Sequence, residues 1–126
     1  VKRKRLKNNS SVVFTASISG YNYVAPANGI YGTSKSALSA YMKYAALELA
    51  GKGIRCNAVH PGRINTPLIS NRMLTEEDVA KDVEQYPLKR YGEPSEVAHA
   101  IIYLLSDAAS WVTGTNLVID GGRSLK

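Results

Sequence analysis

A tyrosine and a lysine stand four residues apart in Tyr31-Gly-Thr-Ser-Lys35. On a helix that spacing stacks the two side chains on one face. A phenol ordinarily titrates at about 10, and an ammonium one turn away favours the phenolate. The pair is therefore equipped to pass a proton to or from a substrate oxygen near neutral pH. Tyr and Lys at this spacing more often serve surface packing. The pair gains meaning only from what the fold places beside it.

The flanking sequence supplies elements to position it. Ser11-Val-Val-Phe-Thr-Ala-Ser17 holds a continuous apolar run from Val12 to Phe14, which suits a buried parallel strand. Ser17-Ile-Ser-Gly20 ends that strand in a turn of small residues, and residues 21–30 read as a loop. A helix is predicted from Tyr31 to Ala50, with Leu38, Tyr41, Ala45 and Leu49 at spacings of three or four. Ala37, Ala40 and Ala46 fall on its other faces, so it should be buried on more than one side. A sheet covers one side only, and a second subunit would cover another. Gly51-Lys-Gly53 stops the helix, and Ile54–His60 is a second strand closed by Pro61-Gly62. Strand, helix and strand make a βαβ unit with a parallel sheet and a right-handed crossover.

Residues 61–74 read as a long loop containing Pro67. Thr75 then caps a short helix with Glu76, Glu77 and Asp78 in its first turn, and Pro87 ends it. Pro94 opens another helix at its first position, with Val97, Ala98, Ile101, Ile102, Leu104 and Leu105 as its apolar stripe. Trp111-Val-Thr-Gly114 is a turn, and Asn116–Asp120 is a third strand ended by Gly121-Gly122. Val1–Asn9 reads as the tail of a helix. Three strands do not complete a doubly wound sheet, whose faces and edges are normally covered. The expected fold is therefore α/β: the C-terminal portion, residues 1–126, of a Rossmann-like doubly wound parallel sheet. The alternative is a chain that completes itself by oligomerising.

Composition narrows the function. At 126 residues and 44% hydrophobic, the chain can build one small core. No apolar run approaches the ~20 residues of a membrane span, and no apolar stretch follows the basic N-terminus, so neither a membrane partner nor a secretory leader is expected. The single Cys56 excludes an internal disulfide and a multi-cysteine metal site and fits a reducing, cytoplasmic compartment. His60 and His99 lie far apart without ligand-like neighbours, so both should be structural and no metal is expected. The net charge is +6, but Lys2, Arg3, Lys4, Arg5 and Lys7 supply most of it. No aromatic residue accompanies that cluster, which favours a solvated terminus over a nucleic-acid surface.

In open parallel α/β sheets, ligands bind at the carboxyl ends of the strands. Ser17, the Tyr31–Lys35 pair and the loop Pro61-Gly-Arg-Ile-Asn-Thr66 all fall there. With these the chain from Ser11 to Gly122 resembles the short-chain dehydrogenase/reductase family. The resemblance rests on Ser17-x-x-Gly20, Tyr31-x-x-x-Lys35, Asn57-Ala-Val-His-Pro-Gly62 followed by Thr66, and Pro87-Leu-Lys-Arg-Tyr-Gly-Glu-Pro94 running into a Glu-Val-Ala helix. Thr113-Gly114 and Val118-Ile-Asp-Gly-Gly122 complete it.

The resemblance implies hydride transfer between NAD or NADP and a small carbonyl or secondary-alcohol substrate. Tyr31 would be the general acid or base. Lys35 would hydrogen-bond the nicotinamide ribose and lower the Tyr31 pKa. Ser17, favoured over Ser19 by the position of Gly20, would hold the substrate oxygen. Pro61, Gly62 and the Ile64 backbone would face the nicotinamide, and Thr66 its carboxamide. Residues 67–86 would be the substrate lid. A homodimer or homotetramer through helix 31–50 and the C-terminal strand is implied as well. The family's Gly-rich phosphate turn is absent, as are the residue that chooses NAD or NADP and the segment carrying a fourth catalytic residue. A truncated form that folds or oligomerises without binding cofactor is the alternative reading.

Overall fold

The apolar run at Val12–Phe14 forms the first strand of a three-stranded sheet, β1 (Ser11–Thr15). In the computed structural model, which describes residues 6–70 and 75–126, the sheet runs β1-β2-β3, with β2 at Arg55–Pro61 and β3 at Asn116–Ile119. The basic cluster at Lys2–Arg5 and the start of the predicted N-terminal helix tail lie outside the described residues, as does the stretch 71–74 of the predicted loop; the described part of that tail, Leu6–Asn9, is a bend and a turn rather than helix. Both strand pairs are parallel, with Ser11 opposite Arg55 and Ala58 opposite Asn116. The crossover between β1 and β2 is helix α1, Gly29–Leu49. It begins two residues ahead of Tyr31 and passes through a 3-10 turn (Ala50–Lys52) to Gly53, whose φ of 68° ends it.

Successive strand residues face opposite sides of the sheet. Cys56 and Ala58, with Val12 and Phe14, pack against Met42, Ala45 and Ala46 of α1 and against Ile54. Burial raises the Cys56 thiol above its ordinary value, which marks an inert packing cysteine. The alternate positions face α4, Pro94–Leu105. There Ser11 Oγ donates to the Leu104 carbonyl at 2.9 Å. The Arg55 guanidinium donates to the carbonyls of Leu104, Ser106 and Val112 at 2.8, 3.0 and 3.2 Å. The bonds to Leu104 and Ser106 satisfy carbonyls that the end of α4 leaves without helical partners, and the bond to Val112 ties in the turn that follows.

Three readings need correction. Residues 61–74 are not all loop, because Pro67–Ser70 forms a short helix, α2, with proline at its first position. The six-residue stripe of α4 is also too wide. Leu104 is buried and Val97 and Ile101 are half-buried, but Ala98, Ile102 and Leu105 are exposed. One sheet face covers one side of α4, and no described element covers the other. Tyr41, counted as inward on α1, is mostly exposed and meets Phe14 edge to face at 6.0 Å.

The acidic helix start at Thr75 forms as read. Helix α3 (Glu76–Val83) has a capping box in which Thr75 Oγ1 accepts from the Asp78 N–H at 3.1 Å, and the Asp78 carboxylate accepts from the Thr75 N–H. It ends four residues before Pro87. At the start of α4 the Glu93 N–H donates to the Glu96 carboxylate at 2.8 Å, and Arg90 forks onto both oxygens of Glu96 at 2.7 Å each. The Arg90 hydrogen bonds, then the backbone N–H, hold the Glu96 carboxyl down at about 2. Because the folded pKa is depressed, this stabilisation is complete above the ordinary 4.5 and is lost as pH falls towards 2. Glu96→Gln should flatten the pH dependence of the urea midpoint across that acid range and leave its slope near neutrality unchanged.

Candidate active site

The site grows from the point where β1 stops. After Thr15 the chain stays extended beside β2, the Ala16 N–H donating to the Val59 carbonyl at 2.9 Å and the Ile18 N–H to that of Pro61 at 3.2 Å. Ser17 lies between these bonds, and His60 fixes it from below. The His60 ring is wholly buried, and Nδ1 stands 2.7 Å from the Ser17 carbonyl oxygen. A carbonyl only accepts, so Nδ1 carries the proton. The other ring nitrogen meets Asn116 Oδ1 at 2.8 Å and Ser39 Oγ at 3.2 Å, and the Tyr21 ring lies over the imidazole at 4.3 Å. His60 is structural, as expected from sequence. Its structural task is to hold the backbone of Ser17 against β3 and α1.

The Ser17 hydroxyl oxygen accepts the Ser19 N–H at 3.1 Å. Among the described residues its own proton meets no acceptor. Ser19 Oγ instead accepts from Asn28 Nδ2 at 2.9 Å, and the Asn28 carbonyl receives the Gly32 N–H at 2.8 Å as α1 starts. The turn carrying both serines is thereby tied to the helix carrying Tyr31. Tyr31 is the third residue of α1, is 47% exposed, and has Lys35 Nζ 5.7 Å from its ring centre. Lys35 Nζ also donates to the Thr15 carbonyl at 3.0 Å, which draws it to the end of β1.

Ser17, Tyr31 and Gly62 line one cavity of about 290 Å³. Lys35, Pro61, Ile64 and Thr66 do not line it. The Pro61 carbonyl is taken by Ile18. Ile64 forms a parallel bridge with Gly92. The Thr66 carbonyl accepts the Ile69 N–H at 2.8 Å as α2 begins. Cavities of about 430 Å³ at the end of β3 and about 500 Å³ on the outer side of α1 contain neither Ser17 nor Tyr31.

The remaining wall was not foreseen from sequence. Tyr23, Arg63, Asp82, Tyr86 and Arg123 join the lining. Arg63 pairs with Asp82 at 2.8 Å, and the Tyr91 hydroxyl donates to the same carboxylate at 2.8 Å. Burial, and then the Asp82 charge, raises the Tyr86 phenol. Burial raises that of Tyr91 as well. Both phenols therefore stay protonated at neutral pH. The signal for this wall was position alone: Arg63 follows Pro61-Gly62, and Arg123 follows Gly121-Gly122, each just past a strand. Among the described residues no group of three His, Cys, Asp or Glu side chains is placed to hold a metal.

Comparisons with known proteins identify the family and the fold. Residues 1–124 match the family model described as enoyl-(acyl carrier protein) reductase. The chain is 45% identical over 116 residues to a cyclohexanol dehydrogenase from an Acinetobacter strain, covering 92% of this chain and 44% of that protein. It is 42% identical to the 3-oxoacyl-[acyl-carrier-protein] reductase of Thermotoga maritima, covering 90% and 45%. Among solved structures, a short chain dehydrogenase family protein from Francisella tularensis superposes with a TM-score of 0.87 at 33% identity, covering 96% of this chain and 53% of that one. Thermoplasma acidophilum aldohexose dehydrogenase, without ligand, gives 0.86 at 34% identity, covering 97% and 50%. The chain thus spans about half the length of the relatives it matches. Its sheet order, the Ser17–Tyr31 cavity and a family match over almost all its residues lead to one assignment: it belongs to the short-chain dehydrogenase/reductase family.

Proposed function

We propose that these residues form the reacting part of an NAD(P)-dependent oxidoreductase that interconverts a carbonyl and a secondary alcohol. The observation that carries this reading is the placement of the Ser17 hydroxyl and Tyr31 on one cavity, with Lys35 beside the tyrosine. The donors suit the nicotinamide end of the cofactor. Lys35 Nζ has three N–H donors and gives one to Thr15, and the Tyr31 hydroxyl is open to solvent. These two groups would hold the ribose, while Pro61, Gly62, Ile64 and Thr66 would border the ring and its carboxamide. NAD or NADP, when bound, supplies or accepts the hydride.

The protein's own contribution is protonic and electrostatic. In reduction Tyr31 gives its hydroxyl proton to the substrate oxygen, and in oxidation it takes that proton back. Ser17 donates its hydroxyl hydrogen to the same oxygen and stabilises the charge that develops there. Ile69, Asp82 and Tyr86, from the segment 67–86 read as the substrate lid, line the cavity and would cover the substrate. A second copy of the chain covers the outer face of α1, where Tyr41, Tyr44 and Leu47 are exposed, giving a homodimer or homotetramer.

The test is carbonyl-dependent oxidation of NADH or NADPH by the full-length protein. Ser17→Ala should lower kcat by about 100-fold, the usual effect of losing one donor at a developing oxyanion, with cofactor affinity unchanged. A Ser17→Ala enzyme with undiminished kcat sinks the serine's assignment. One observation favours the second reading, a fragment that folds without cofactor: no Gly-rich phosphate turn occurs among these 126 residues. Saturable calorimetric binding of NADPH to the 126-residue chain alone would exclude it.

A further inference from the structure

We propose that the substrate is a carboxylate-bearing carbonyl or alcohol and that Arg123 grips the carboxylate; this rests on the oxidoreductase reading above. Arg123 opens the 3-10 turn Arg123–Leu125 that follows β3. That turn is built to stay in place. The Asp120 carboxylate accepts the N–H groups of Gly122 at 2.9 Å and Ser124 at 2.8 Å, and Asn22 Nδ2 donates to Ser124 Oγ at 2.9 Å. The Arg123 guanidinium lies over the Tyr23 ring, 4.6 Å from its centre, and donates to the Tyr23 hydroxyl at 3.1 Å. Tyr23 is itself part of the serine turn: its N–H donates to the Ile18 carbonyl at 3.1 Å, and its carbonyl receives the Gly20 N–H at 3.0 Å. Arg123 is therefore fixed to the same turn that fixes Ser17.

Its hydrogen-bonding capacity is largely unspent. A guanidinium offers five N–H donors in a planar fork. Among the described residues Arg123 spends one, on Tyr23, and forms no ion pair. Among the described residues the only carboxylate lining the cavity, that of Asp82, is already occupied by Arg63 and Tyr91. With Arg63 neutralised, the described lining carries one uncompensated positive charge. A single charge with a bidentate fork matches a carboxylate better than a phosphate dianion, which would call for a second cation. The cavity of about 290 Å³ suits a small acid.

The probes are 3-, 4- and 5-oxo acids of short chain beside their methyl esters and a matching oxoalkyl phosphonate, reduced by the full-length enzyme. At the best chain length the acid should exceed its ester in kcat/KM by about 10- to 100-fold, the usual range for a charge-assisted hydrogen bond. Arg123→Met should remove that advantage, lowering kcat/KM for the acid by about 10- to 100-fold through KM and that for the ester far less, and Arg123→Lys should restore part of it. A residue that merely braced the turn would impair acid and ester alike, and that result overturns the assignment. Preference for the phosphonate overturns the carboxylate. Ester reduction with no acid preference at any length overturns this inference alone. A protein inert towards every carbonyl overturns the oxidoreductase reading and this inference together.

Discussion

Replacing Tyr31 by Phe is expected to lower kcat of the full-length enzyme by about 1,000-fold, within the range general acid catalysis contributes. The substitution removes one oxygen and little else. The Tyr31 hydroxyl forms no hydrogen bond among the described residues, and its ring is half exposed, so neither a buried partner nor core packing is lost. Lys35 stays anchored to the Thr15 carbonyl at 3.0 Å whether or not the hydroxyl is present. Tm should therefore remain close to wild type, and cofactor affinity should fall by no more than about 10-fold, the worth of one hydrogen bond to the ribose, while turnover collapses. Steady-state kcat and calorimetric cofactor affinity, measured on the same preparation, separate the two effects. A Phe variant with normal turnover would refute the acid–base role.

Gly20→Ala is expected to cost several kcal/mol and to take activity with it. Gly20 has a φ of +78°, in the left-handed region that charges an L-residue roughly 1–2 kcal/mol. An added Cβ would also overlap the Gly32 carbonyl oxygen and Ser36 Oγ on α1. A backbone carbonyl in the first turn of a long helix has little room to yield, so either the serine turn or the start of α1 must move. Ser17 rides on the first and Tyr31 on the second. At roughly 2–4 °C per kcal/mol for a domain of 150–250 residues, Tm of the full-length protein should fall by about 10 °C. Gly29→Ala is the control. Nothing lies within 4 Å of its would-be Cβ, so it should leave Tm unchanged or slightly higher. Equal Tm values for the two variants would contradict the close approach of the serine turn to α1.

These two residues also show how legible the chain was. Val12–Phe14 is a continuous apolar run, Ile54–His60 is bracketed by Gly53 and Pro61-Gly62, and α1 has five turns of periodic sequence, so pattern alone located them. Helix α2 escaped because four residues show no periodicity, although Pro67 at its first position was a usable cue. The stripe of α4 was overdrawn because an apolar side chain in sequence does not say whether a neighbour exists to cover it. Ser17 and Tyr31 were readable as neighbours, since both lie at the carboxyl end of the sheet. The opposite wall was not. Tyr23 and Arg123, or Arg63 and Asp82, meet only through the folding of distant segments, and no local spacing encodes such a meeting. His60 was read as structural for lack of ligand-like neighbours. Its grip on the Ser17 carbonyl depends on Asn116 and Ser39, which belong to two other elements.

Both ladders of the sheet join strands remote in sequence, Ser11 with Arg55 and Ala58 with Asn116. Helix α1 needs only local contacts and can nucleate early, but neither ladder can begin until a long loop has closed. Sheet assembly is therefore expected to lag behind formation of α1. The serine turn and the glycine loop both hang from the ends of those strands, so the cavity they line should take shape only when the ladders close.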